Sequence, residues 1–295
     1  MEIGLLLGGD TGYMVLKTIV KKHNVVFILT DKKSEKIIQY SSTHNIPLYT
    51  NNPRKEEINF FLVNKNIDVL FSINYIYIIN ENLIKLPKKQ ALNIHGSLLP
   101  KYRGRSPNVW AIINGEKETG VTIHKISNEC DAGDIVARKV IKIKNIDTGY
   151  SLLTKMLRVY PVLIDKILRD IETDKLISEN QDETTASCFN KRTPDDGQID
   201  WSWQKERVMN WVRALSNPYP GAFTFINEEK LIINKISFSD FGFSGEMKNG
   251  TILDIKDSLF FVKTSNGVIR IDDYIIDEKH LIKRGIILGN KKDGF

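Results

Sequence analysis

Along the first 180 residues, apolar runs and polar stretches alternate in the rhythm of a parallel sheet with crossover helices. Glu2–Leu7 is a continuous apolar run, the signature of a strand buried on both faces. The glycine-rich Gly8-Gly9-Asp10-Thr11-Gly12 behind it predicts a tight turn. Tyr13–Lys21 carries helical spacing at Met14, Leu16, Ile19 and Val20, and Asn24–Leu29 reads as the next strand. A polar helix over Lys32–His44, a short extended piece at Ile46–Tyr49, a helix over Arg54–Asn64 and a strand at Ile67–Ile73 follow. Ala91–His95 is expected to be an interior strand. In open α/β sheets ligands gather beyond the carboxyl ends of the strands, which is where Asn93 and His95 fall.

Residues 120–126 and 135–143 read as two extended segments joined by a loop. A long helix is predicted from Gly149 to Asp174, with Leu152, Leu153, Met156, Leu157, Tyr160, Leu163, Ile164, Ile167 and Leu168 on its apolar side. The polar run Glu179–Thr185 reads as a linker, so the domains are expected at 1–180 and 181–295. Beyond it a helix around Lys205–Leu215 precedes short β-like runs at Ala222–Ile226, Leu231–Phe238, Thr251–Ile255, Leu259–Val262 and Val268–Tyr274. Short strands separated by turn signals predict a small barrel or sandwich. The lysine-rich tail Lys283–Phe295 is read as a terminal helix or a disordered end.

Composition narrows the class. Of the 295 residues, 41% are hydrophobic and 26% charged, ordinary values for a globular chain, and no apolar run reaches membrane-spanning length. The opening residues read as a buried strand and lack a secretory leader's basic start, so a cytoplasmic setting is expected. Two cysteines, Cys130 and Cys188, suggest neither a disulfide framework nor a thiolate zinc site, and no metal is expected. The net charge of +6 is unevenly spread. Residues 1–180 hold 26 Lys and Arg against 19 Asp and Glu, and residues 181–295 hold 16 against 17. A basic first part suits an anionic ligand or merely reflects lysine-rich usage. A near-neutral second part speaks against a broad nucleic-acid footprint there.

The candidate chemistry gathers around Asn93 and His95, which share one face of a strand end. Gly96 and the turn from Pro100 to Gly104 allow close backbone approach. Arg103 and Arg105 offer planar donors for phosphate or hydroxyl groups, or form a solvated loop. Asp131, in Cys130-Asp131-Ala132-Gly133, is a carboxylate or an ordinary loop residue, and it becomes a candidate only with Asn93 and His95. Gly9, Asp10 and Thr11 sit where strand meets helix and could receive an anion on backbone amides, or simply make a βα turn. His124 receives no chemical role. Trp201, Trp203 and Trp211, beside Tyr219, are read either as an aromatic platform for a base or pterin ring or as core.

The run Asn93–Arg105, continued through Ser106-Pro107, Thr119–His124 and Asp131–Val136, resembles the folate-dependent formyltransferase family. Lys191–Trp201, Val212-Arg213-Ala214 and Pro218–Ala222 resemble its two-domain branch, which includes methionyl-tRNA formyltransferases and nucleotide-sugar N-formyltransferases. The resemblance implies an α/β chain with a Rossmann-like formyltransferase domain followed by a small β-rich, OB-like barrel domain. It implies N10-formyltetrahydrofolate as co-substrate, no metal, and Asn93, His95 and Asp131 as the catalytic trio. It also implies folate contacts at Ile76, Ile78, Leu99, Cys130 and Gly133. Acceptor contacts are expected at Gly9, Asp10, Thr11, Ser97, Tyr102, Arg103 and Arg105. Asn93 would donate to the developing oxyanion with His95 helping, or His95 would accept the amine proton.

Two acceptor classes compete. Methionyl-tRNA formyltransferases of this kind carry a basic insertion after the second strand, whereas Thr30–Lys36 runs straight into the helix. With the near-neutral second part, this favours a nucleotide-linked amino sugar destined for surface polysaccharide. dTDP-4-amino-4,6-dideoxyglucose is the first choice and UDP-4-amino-4-deoxy-L-arabinose the second. Nucleic acid and membrane are not expected partners, and the resemblance admits a homodimer through second-domain strands.

Overall fold

The computed structural model describes residues 1–289, which divide into two compact units. The first comprises residues 1–107, 119–141 and 154–189, and the second residues 108–118, 142–153 and those from 190 onward.

The first unit is built on a seven-stranded sheet. In chain order its elements are β1 (Glu2–Leu7), α1 (Gly9–Ile19), β2 (Asn24–Leu29), α2 (Glu35–Thr43), β3 (Leu48–Tyr49) and α3 (Glu57–Leu62). Then come β4 (Val69–Ile73), α4 (Glu81–Lys85), β5 (Gln90–His95) and the two-residue β6 (Arg103–Gly104). After α5 (Pro107–Ile113), which lies mostly in the second unit, follow β7 (Glu118–Lys125), β8 (Ile135–Lys142), α6 (Gly149–Glu172) and β9 (Cys188–Phe189). The order across the sheet is β3-β2-β1-β4-β5-β7-β8.

The strands from β3 to β5 run parallel, and β7 joins β5 antiparallel. The apolar runs explain the interior position of β1 and β4, since all of Val69–Ile73 and all but the first residue of Glu2–Leu7 are buried. Gly4 is needed in β1 because a Cβ there would stand 2.6 Å from the Phe27 ring. The chain turns from β2 on one side of β1 to β4 on the other, placing the topological switch beside the Gly8–Gly9 segment.

The expected turn at Gly8–Gly12 is shorter than its glycines suggest, because the helix already begins at Gly9. The expected linker is also not one. Glu179 exchanges two backbone hydrogen bonds with Ile135, of 2.8 and 2.9 Å, and β9 pairs in parallel with β6.

In the second unit, α7 (Lys205–Leu215) precedes β10 (Ala222–Ile226), β11 (Glu229–Ser239), β12 (Ile252–Lys256), β13 (Leu259–Thr264) and β14 (Gly267–Ile275). These strands make an antiparallel sheet in the order β10-β11-β14-β13-β12. The barrel expectation is corrected here: among the described residues β10 and β12 do not pair, and the sheet stays open. The tail explains how the edges are satisfied without closure. Ile252 N–H donates to the Ile286 carbonyl at 2.8 Å and Leu288 N–H to Gly250 at 2.9 Å. Phe225 and Gly289 exchange hydrogen bonds of 3.0 and 3.1 Å. Residues 286–289 are therefore extended along both edges and 284–285 form a turn before them, not a terminal helix or a disordered end; the last part of that expectation, 290–295, lies outside the described residues.

Trp201 and Trp211 belong to this unit's core, and Trp203, half-buried, packs edge-on against Trp211. Trp201 Nε1 donates to Thr224 Oγ1 and Trp211 Nε1 to the Gly197 carbonyl, each at 3.0 Å. Arg192 lies over both the Trp110 and Trp211 rings.

Candidate active site

Four polar side chains of the first unit converge at the carboxyl end of β5. Asn93 and His95 project from one face of that strand. Antiparallel pairing with β7 sets His124 directly opposite Asn93. The loop between β7 and β8 brings in Asp131. Asn93 Nδ2 donates to His124 Nε2 at 3.1 Å and stands 3.5 Å from Asp131 Oδ1. His95 Nδ1 and His124 Nε2 each lie 3.5 Å from an Asp131 oxygen, and the Gly104 N–H donates to Asp131 Oδ2 at 2.9 Å.

Protonation states follow from the fixed partners. His95 Nε2 lies 2.7 Å from the Tyr102 carbonyl, which can only accept, so Nε2 carries the proton and Nδ1 is the basic atom facing Asp131. By the same logic His124 donates from Nδ1 to the Lys125 carbonyl at 2.8 Å, leaving Nε2 to receive the Asn93 amide proton. Burial lowers the pKa of His95 below that of a free imidazole, against the pull of the Asp131 carboxylate. Burial works the other way on Asp131, but attraction to the His95 ring in its protonated form and the hydrogen bond from the Gly104 N–H outweigh it and hold its carboxyl well below the usual carboxylate range. The result is a neutral imidazole beside an ionised carboxylate. A proton captured at His95 Nδ1 arrives next to a negative charge.

The other residues expected at the site divide into two groups. Ser97, Leu99, Tyr102 and Arg103 are buried and serve the scaffold. Ser97 Oγ donates to the Lys101 carbonyl at 2.7 Å, and the Leu99 N–H donates to Thr122 Oγ1 at 3.2 Å. The Tyr102 ring stacks on Phe189 with centroids 5.0 Å apart. Arg103 differs most from expectation. Its guanidinium is held by Gln181 and Glu183 rather than offered to a ligand, because those partners lie 78 and 80 residues away in sequence and are brought in by the segment after α6.

The remaining positions, exposed apart from half-buried Thr11 and buried Gly133, make up the second group. Ile76 and Ile78 stand out in the loop after β4, and Arg105 Nη2 donates to the Ile76 carbonyl at 2.9 Å. Cys130 Sγ lies 3.5 Å from Asp131 Oδ2. Gly133 contributes no side chain because a Cβ there would meet the Lys125 carbonyl at 1.9 Å. Gly9 and Asp10 begin α1, where the Gly9 N–H donates to Ser34 Oγ at 2.9 Å and Asp10 pairs with Lys36 at 2.8 Å. Thr11, half-buried, follows in the same helical turn. His124 is the residue that sequence reasoning missed; its signal is the cross-strand register.

A formyl transferase family model matches residues 10–164, and a model of the formyl transferase C-terminal domain matches 191–284. This chain belongs to the formyl transferase family. It is 37% identical over 261 residues to the bifunctional polymyxin resistance protein ArnA of Wigglesworthia glossinidia brevipalpis, covering 84% of this chain. The chain spans 40% of that relative's length. Among solved structures, an N-formyltransferase from Helicobacter canadensis, in complex with folinic acid and dTDP-3-aminofucose, has a TM-score of 0.70 at 20% identity. The match covers 93% of this chain and 98% of that one. The sugar 3N-formyl transferase WlaRD, with dTDP and 5-N-formyl-THF, has a TM-score of 0.67 at 20% identity and the same coverage. These two likenesses show the shared fold.

Proposed function

We propose that the chain transfers the formyl group of N10-formyltetrahydrofolate to the amino group of a nucleotide-linked amino sugar. The observation that carries this reading is the convergence of Asn93 and His95 on the nearly buried carboxylate of Asp131. The donor supplies a carbonyl carbon that is attacked by a neutral amine: a bond from the amine nitrogen to that carbon forms, and the bond to the folate nitrogen breaks. Asn93, its amide oriented by His124, offers an N–H to the oxygen that gains negative charge. His95 takes the proton shed by the amine at Nδ1 and returns it to the departing folate nitrogen, and Asp131 stabilises the imidazolium for the interval in which it exists. Tyr102 serves through its carbonyl, which holds the imidazole in the required tautomer.

The donor's flat ring fits the loop after β4. That loop presents the exposed apolar side chains Ile76 and Ile78, against which a flat ring can lie. A small acceptor suits the loop between β2 and α2. It holds only Thr30 to Ser34, and Asp31 and Ser34 bond to each other at 2.7 Å, leaving no basic insertion to grip tRNA.

The first acceptor in this reading is dTDP-4-amino-4,6-dideoxyglucose. The 37% identical relative supports UDP-4-amino-4-deoxy-L-arabinose as the second. The test offers purified protein the formyl folate with each of three acceptors: the dTDP-amino sugar, the UDP-amino sugar and charged initiator tRNA. A product heavier by one formyl group on a sugar is expected. Formylation of the tRNA alone would overturn the reading.

A further inference from the structure

We propose that Gln181 is a positioning residue for formyl transfer, pinning the Asp131 loop to the Arg103 loop through a single side-chain amide. The inference rests on the formyl-transfer reading. Gln181 Nε2 donates to the carbonyls of Asp131 and Gly133 at 2.7 and 2.8 Å. Its Oε1 accepts from Arg103 Nε and Nη2 at 3.2 and 2.8 Å. One amide thus carries four hydrogen bonds between two loops that are remote in sequence.

Both loops need holding. Asp131 and Tyr102 have φ values of +54° and +62°, the left-handed region, where the Cβ of a non-glycine residue crowds the backbone. Both supply working atoms: Asp131 its carboxylate, and Tyr102 the carbonyl that fixes the His95 tautomer. The segment around Gln181 grips the same two loops. Glu183 takes two further N–H groups of Arg103 at 2.8 and 2.6 Å, and Ser187 Oγ accepts from the Tyr102 N–H at 2.9 Å. Asn180 Nδ2 donates to Asp134 at 2.9 Å. Within this clasp only Gln181 touches the residues on both sides of the reaction centre. The chemistry demands an amide, with donors on one side and an acceptor on the other. Glutamate would turn a negative oxygen toward two carbonyls, and methionine would offer neither function.

The test compares Gln181→Glu and Gln181→Met in the full chain, each alone and combined with Asp131→Asn. If Gln181→Met fails to fold, Gln181→Glu, which keeps an acceptor for Arg103, carries the test. The expected result is a fall in kcat of about 10²-fold with KM changed less than about threefold, since small misplacements of a catalytic group cost this much. In the Asp131→Asn background a smaller further loss is expected, because the two changes share the carboxylate and only the Tyr102 carbonyl is left to misplace.

A second readout needs no turnover. Partial desolvation and the adjacent Asp131 carboxylate push the Cys130 thiol up to about 11. Release of the loop therefore speeds iodoacetamide labelling of Cys130, resolved from Cys188 by peptide mass mapping. A kcat loss under tenfold, an additive loss with Asp131→Asn, or unchanged Cys130 labelling would each overturn the proposal. If the wild type formylates no amino sugar, the functional reading fails by itself, and the labelling still decides whether Gln181 holds the loop.

Discussion

Replacing Asp131 by asparagine removes one charge and almost no volume, which makes it the sharpest probe of the electrostatics at the site. The side chain is nearly buried, and its oxygens stand 3.5 Å from His95 Nδ1 and from His124 Nε2. A carboxylate and an imidazolium at that distance attract by about 5 kcal/mol at an effective dielectric constant of about 20. An asparagine dipole retains part of this and can still accept from the Gly104 N–H. Asp131→Asn should therefore lower kcat by roughly 10²- to 10³-fold, within the range of a single acid–base group. Initial rates across pH provide the assay.

The direction of the pH effect is also determined. His95 must be neutral to take a proton, so the acid limb of kcat/KM follows its pKa, which the Asp131 carboxylate raises. Removing the carboxylate moves that limb to lower pH even as the maximum falls. Stability should respond in parallel. Asp131 has a depressed folded-state pKa, so its contribution is present above the unfolded value of about 3.9 and is lost as pH falls below it. The stability gap between wild type and variant, read by urea denaturation, should narrow in acid. A kcat loss below tenfold, or an acid limb displaced upward, would refute this reasoning.

Two further outcomes test the scaffold. Thr122→Val removes a buried hydroxyl that donates to the Ser97 carbonyl at 2.7 Å and accepts the Leu99 N–H, and should cost about 1–3 kcal/mol in urea denaturation. His124→Leu deprives the Asn93 amide of its acceptor and should lower kcat about tenfold, with KM changed less than about threefold; His124→Gln, which can accept, should recover part of the loss in steady-state kinetics.

Local pattern and non-local contact divide what the sequence could tell. β1, β2 and α7 were legible to within two residues, because each carries an unbroken apolar run or strong amphipathic spacing. Asn93 and His95 were legible as a pair, because two-residue periodicity puts them on one face. His124 was not, because its role depends on the register in which β7 meets β5. The segment after α6 misled for a related reason. Glu179, Gln181 and Glu183 look like a solvated linker until their partners Ile135, Arg103 and the Asp131 loop are folded against them. Arg103 looked free for the same reason. The open sheet of the second unit escaped prediction because strand patterns do not reveal whether the edges meet each other or a tail.

The measurement that tests the central claim most directly is formyl transfer by His95→Ala alongside nucleotide-sugar binding. The alanine removes the basic Nδ1 beside Asp131 and leaves the exposed loops in place. Turnover should fall to background while calorimetry still detects the nucleotide sugar with affinity close to wild type. Undiminished turnover would contradict the assignment of the proton-accepting role to His95.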